Sequence, residues 1–215
     1  MTLDAFSRID ESVANPMRED SPIAATLQAA QSEGLAAEAI ERRVWERHGT
    51  TCAMLALDSS GMTRVTRAQG IVHFLTRYVQ MRDLAQAIIE RHGCLAWRSF
   101  ADNLFAEFPS TDAALDSALE IHRVLREQGI MLTDTEPYRV GIAIGHGRVL
   151  DNGGLGVLGD EMNIVAKVGE DFAMPGETFL TDSGLRSLAS HPQLSVEKVE
   201  LTISKIAVAT YRVRT

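Results

Sequence analysis

Apolar and polar positions alternate most tellingly in residues 94–108, CLAWRSFADNLFAEF, where apolar runs flank the polar pair Asp102-Asn103. That pattern predicts two short strands joined by a tight turn with a carboxylate at its tip. Upstream, an apolar run over 52–57 ends at Asp58 and meets the turn-like Ser59-Ser60-Gly61, which predicts a first strand over 51–58. Between the two, Ile71, Phe74, Leu75, Val79, Leu84, Ala87, Ile88 and Ile89 recur at helical spacing as far as His92-Gly93, where the glycine suits a C-cap. Beyond the hairpin, Thr111-Asp112 is expected to cap a second helix, whose apolar face (Ala114, Leu115, Ala118, Ile121, Leu125) extends to Gly129. Residues 138–144 read as a strand, 145–159 as a glycine-rich segment and 160–168 as a helix. A short strand over 177–180 leads into a small helix ending at Leu188, and 196–201 with 206–213 form a terminal hairpin.

This order (strand, helix, hairpin, helix, strand, then a helix and a closing strand group) predicts an α/β (α+β) sandwich of ferredoxin-like or palm-like type. Helices cover one side of a largely antiparallel sheet, and a doubly wound parallel sheet is excluded. Ahead of it, Ile23, Leu27, Ala30, Leu35, Ile40 and Val44 follow an approximately helical period broken at Gly34, the mark of an appendage helix or helix pair. Residues 1–20 mix charges without periodicity, and Pro16 prevents a long helix, so they read as an arm.

At 215 residues, 45% hydrophobic and 23% charged, the chain belongs to the soluble globular class. Its net charge of −8 opposes nonspecific nucleic-acid binding, while a local cationic site or a metal still admits a nucleotide. Cys52 and Cys94 sit in strand-like runs without ligand spacing and read as thiols in a reducing compartment rather than a disulfide. No apolar run approaches a membrane span and the first twenty residues lack a signal-peptide core, so the expected location is the cytoplasm, with no membrane partner.

In a strand–helix–hairpin unit, Asp58 and Asp102 meet across neighbouring strands. Two adjacent carboxylates repel unless a cation lies between them, and hard oxygen ligands suit Mg2+ or Mn2+; the alternative is two solvated turn caps. Six glycines from Gly145 to Gly159 admit close approach of a bulky ligand, or simply make a flexible loop, and no phosphate-loop or dinucleotide fingerprint occurs. Asn163 and Lys167, four apart on one helical face, can address one phosphate chain or be an ordinary exposed pair. His73, His92, His122 and His146 have no ligand spacing and read as packing or hydrogen-bonding residues, and Trp97 as a strand residue against a helix.

Taken together, LALDSSGMT at 55–63, RSFADNLFAEF at 98–108, RVGIAIGHGRV at 139–149, GDEMNIVAK at 159–167 and MPGETFLTDSG at 174–184 resemble, in order, the segments of the class III adenylate/guanylate cyclase catalytic domain. The resemblance covers about residues 50–213 and divides the chain into an arm and appendage at 1–48 and a catalytic domain at 49–215. It implies that Asp58, Asp102 and the backbone carbonyl of Ser59 bind two divalent ions. It implies further that Asn163 orients the ribose, Lys167 stands where the family has a phosphoryl-stabilising Arg, and Arg98 with Gly156 stands where the base is read. Lys205 is assigned to a phosphate-binding lysine of the terminal hairpin. The implied reaction converts ATP or GTP to the 3′,5′-cyclic monophosphate and pyrophosphate, in a homodimer whose two sites each take residues from both subunits. The alternative is a weak or inactive homologue that binds nucleotide or protein as a regulator. Lys167 lacks the guanidinium fork, Arg98 with Gly156 leaves the base preference open, Met62 replaces a Phe, and Ala101 replaces a Gly. Cyclic-dinucleotide synthesis is disfavoured because no GG[D/E]EF-like turn appears, and a purely structural role leaves Asp58 and Asp102 without a shared purpose.

Overall fold

The computed structural model describes Met17 and residues 20–214, so the arm expected over 1–20 lies outside the described residues apart from Met17 and Asp20. In chain order the elements are α1 (Pro22–Ser32), α2 (Ala37–His48), β1 (Gly49–Ser59), α3 (Met62–Gln69), α4 (Ile71–Arg91), β2 (Ala96–Phe100) and β3 (Asn103–Phe108). They continue with α5 (Thr111–Glu127), β4 (Val140–Asp151), β5 (Val157–Leu158), α6 (Asp160–Asp171), β6 (Thr178–Thr181), α7 (Asp182–Arg186), β7 (Val196–Ile203) and β8 (Ile206–Val213). Two compact units result, one of residues through Thr50 with Val149–Leu158, the other of Thr51–Arg148 with Gly159–Thr215.

In the first unit the expected helix pair is present, with Gly34 at φ 69° between α1 and α2. Ser21 caps α1 by accepting from the Ala24 amide, and its own hydroxyl donates to the fully buried Asn152 at 2.7 Å. The same Asn152 oxygen accepts from the Ile23 amide at 3.2 Å, so one amide side chain fixes both the start of α1 and the turn after β4. Thr26 and His48 join the two helices at 2.8 Å.

In the second unit the strand order is β2-β3-β1-β4-β6-β8-β7; its first four strands have β1 and β3 at their centre, the ferredoxin-like arrangement, with β4 and β6 parallel and the β1–β3, β2–β3, β6–β8 and β7–β8 pairs antiparallel. Alternation does the sorting. Ala53, Leu55 and Leu57 of β1, Leu104, Ala106 and Phe108 of β3, and Val140, Ile142 and Ile144 of β4 point into one core with Phe74, Met81, Ala85 and Ile88 of α4 and Leu115, Ala118 and Ile121 of α5.

Helices do not keep to one side. The intervening residues Ala56 and Gly145 lie under α6, where a Cβ on Gly169 would be 3.3 Å from the Ala56 side chain and one on Gly145 would be 2.5 Å from Val165 Cγ2. That close approach is why the chain places glycines in a strand, and it corrects the expected end of β4 at 144: the strand runs on to Asp151. Ser110, not Thr111, caps α5, accepting from the Ala113 amide, and α3 was not expected at all. No helix among the described residues is long and apolar enough to cross a membrane.

Candidate functional site

Asp58 lies one residue before the end of β1, in register with Asn103 of β3, and Asp102 is the residue before Asn103 in the turn that joins β2 to β3. The backbone therefore brings the two predicted carboxylates to the same end of the neighbouring strands β1 and β3. Burial raises the Asp58 pKa most, and the charges of Asp102, Glu170 and Asp171 add to it, so it is pushed up to about 6. Burial also raises the Asp102 carboxyl above its ordinary value, against a lowering hydrogen bond from its own backbone. The turn is strained at Ala101, which takes φ 52° in the left-handed region where glycine is favoured.

Ser59 is buried beside them, its hydroxyl in a short hydrogen bond with the Tyr138 hydroxyl, and Ser60 Oγ donates to the Arg139 carbonyl at 3.2 Å. Two hydrogen bonds thus stitch the residues after Asp58 to the start of β4. From α6, Glu170 accepts from Asn103 Nδ2 at 3.2 Å, which ties the end of that helix to the hairpin. Among the described residues no group of three or more His, Cys, Asp or Glu side chains is arranged to hold a metal. Two carboxylates and a carbonyl nonetheless fit Mg2+ or Mn2+, ions that retain waters and take further oxygens from substrate phosphates. Their mutual repulsion is what a cation would relieve.

Asn163 and Lys167 lie on the exposed face of α6, whose opposite face buries Met162, Val165, Val168 and Gly169. Lys167 Nζ is 3.8 Å from Glu170 and 3.4 Å from Asp171, one turn along its own helix. Arg98 is engaged too: it forms a short ion pair with the buried Glu107 and lies over the Phe105 ring at 5.5 Å. Gly156, at φ 93°, belongs to the first unit and Arg98 to the second. Lys205 sits in the β7–β8 turn with Ser204, at φ 69° and 49° respectively, a geometry that matches strand twist and leaves the lysine exposed. Sequence reasoning missed Glu107 and Glu170. An acidic residue in the apolar strand pattern of 103–108 is the one signal that marks Glu107, while nothing local marks Glu170.

No family model and no curated protein matches the chain. Solved structures do. An adenylate/guanylate cyclase/hydrolase from Silicibacter pomeroyi superposes with a TM-score of 0.66 at 21% identity, covering 77% of this chain and 96% of that one. The guanylate cyclase domain of RhGC from Catenaria anguillulae, solved with GTP, gives 0.65 at 16% identity over 76% and 96%. Adenylate cyclases from Trypanosoma brucei in a monomeric state give 0.64 at 16% over 76% and 87%. The chain has the fold of the class III adenylate/guanylate cyclase catalytic domains.

Proposed function

We propose that the protein is a nucleotide cyclase that converts ATP or GTP to the 3′,5′-cyclic monophosphate and pyrophosphate, with residues 49–215 as catalytic domain and 1–48 as an appendage. A cytoplasmic homodimer in a signalling role completes the reading. The observation that carries it is the placement of Asp58 near the end of β1, in register with Asn103, and of Asp102 in the turn just before Asn103, two half-buried carboxylates each pushed towards protonation. Polar groups are not held in that way without a purpose, because their desolvation is unfavourable unless a cation compensates.

In this reading Asp58, Asp102 and the Ser59 carbonyl hold Mg2+ or Mn2+, which when bound supplies charge neutralisation for the triphosphate and acidifies the attacking 3′-hydroxyl. The chain's own groups do the positioning. Ser59 is kept in place by Tyr138, Asn163 orients the ribose, and Lys167 neutralises charge on the transferring phosphoryl group as a point cation. Lys205 meets the phosphates, and Arg98 reads the base. Since Asn163 and Lys167 lie on the outer face of α6, they are offered to a second copy of the chain, and each site is composite. The apolar residues Ile71, Val72, Leu75 and Val79 exposed on α4, with Phe100 beside Asp102, support such an association.

A second reading, a weak or inactive homologue that binds nucleotide as a regulator, is favoured by one specific arrangement. Arg98 is committed to Glu107, and Lys167 to Glu170 and Asp171, so the groups meant for base and phosphate already have partners in their own chain. Product analysis from ATP and from GTP with Mg2+ or Mn2+ separates the two. Cyclic product that is abolished in Asp58→Asn and in Asp102→Asn establishes the cyclase. Nucleotide binding without product establishes the regulator.

A further inference from the structure

Away from the carboxylates, on the α5 side of the start of β4, lies a cavity of about 240 Å³ lined by His122, Leu125, Arg126, Tyr138, Arg139 and Glu177. A second one of about 270 Å³ shares His122 and Arg126 with it. Among the described residues neither Arg126 nor Arg139 has an ion pair or a side-chain hydrogen bond, a state shared with Arg42, Arg47 and Arg67, whereas nine arginines are matched to a carboxylate. Glu177, the carboxylate in the lining, does not neutralise them. One of its oxygens faces Arg212 Nε at 3.2 Å and the other accepts from the Met174 amide at 3.1 Å.

His122 is spoken for as well. Its Nε2 meets Thr178 Oγ1 at 3.0 Å and its ring also bonds to the Glu177 backbone, while burial foremost and then Arg126 drive its pKa down to about 4. It is therefore neutral at pH 7, and the cavity's uncompensated charge there is that of two guanidinium groups. Both side chains are exposed, so each guanidinium keeps its donors free for an anion entering from solvent. Planar guanidinium forks match the oxygens of phosphate, and a phosphate monoester carries roughly −1.5 to −2 at pH 7. The cavity is larger than a phosphate group, which leaves room for a small substituent.

We propose that Arg126 and Arg139 form a binding site for a phosphate monoester or free phosphate, separate from the Asp58 and Asp102 carboxylates. The wall formed by Tyr138 and Arg139 is the same segment that is stitched to Ser59 and Ser60, so an occupant here sits next to the strand end that carries Asp58.

Calorimetric titration of the full chain with inorganic phosphate, and separately with glycerol 3-phosphate, tests this against sodium chloride at matched ionic strength. Saturable binding of phosphate or the ester is expected, weakened about tenfold or more in both Arg126→Gln and Arg139→Gln and unchanged in Arg67→Gln, an exposed arginine away from the cavity. Tighter binding of the ester than of free phosphate identifies a phosphorylated small molecule as the occupant, and equal binding identifies phosphate itself. Absence of saturable binding to either, or equal weakening in Arg67→Gln, overturns the proposal. Arg139→Lys, which keeps the charge and loses the fork, serves as a folded control: it retains weak binding if the site exists and matches wild type if it does not.

Discussion

An ionised Asp58 with no cation beside it faces a second carboxylate and, further off, Glu170 and Asp171. Its folded-state pKa of about 6 lies above the ordinary value of 3.8, so the folded protein holds the proton more tightly than the unfolded chain does. Stability must then fall as pH rises from about 4 to 6, with the penalty complete above that window. Taken at face value a shift of that size is about 3 kcal/mol; because the carboxylate is partly exposed, about 1–2 kcal/mol is expected after screening. Asp58→Asn should therefore be more stable than wild type by that amount at pH 7.5 and equal to it near pH 4, read from urea denaturation at the two pH values. Added Mn2+ should stabilise wild type at pH 7.5 and leave the variant unmoved. Ala101 makes a second prediction at this scale. Held at φ 52°, it should be improved by Ala101→Gly, with a gain of about 0.5–1 kcal/mol in the same denaturation assay. An equal or lower midpoint would mean that the turn is not strained there.

At the scale of elements, the β4–α6 packing is the sharpest fit. A methyl group on Gly145 would press on Glu161 Oε1 and Val165 Cγ2, and Glu161 is itself fixed by Thr181 and Ser183 at 2.5 Å each. Gly145→Ala is expected to push α6 off the sheet and destabilise by about 1–3 kcal/mol, visible as a lowered thermal midpoint, whereas Gly154→Ala, which has open space, should not. The same packing explains what could be read from sequence and what could not. β1 was legible as a continuous apolar run, because Cys52 to Leu57 are buried on both faces of the strand, and the β2–β3 hairpin as two apolar runs about a polar turn; Asp58 and Asp102 marked where those runs end. The extension of β4 was hidden because glycines carry no side chain to alternate. Helix α3 was hidden because Val65 is its one buried residue, so no apolar stripe marks it. Arg98 stood at the expected strand position, but its pairing with Glu107 depends on strand register, which a local pattern does not contain. Glu170 reaches Asn103 from 67 positions along the chain, and only folding brings them together.

For the whole molecule, the proposed cyclase reading has one copy hold the carboxylate half of a site at the end of β1 and β3 and offer the Asn163–Lys167 half on the outer face of α6. Exposed Ile71, Val72, Leu75 and Val79 form an apolar stripe on α4, the helix whose buried Tyr78 hydroxyl bonds to the Asn103 carbonyl at 3.4 Å. In that proposal the dimer closes over this stripe, is isologous and contains two sites, each built from both copies. The measurement that tests this most directly is cyclic nucleotide formation by an equal mixture of Asp102→Asn and Asn163→Ala proteins, each inactive alone. In the mixed dimers one site collects both defects and the other is intact. With half of the dimers mixed, activity should return to about a quarter of wild type. A mixture that forms mixed dimers and stays as inactive as either parent would contradict the account.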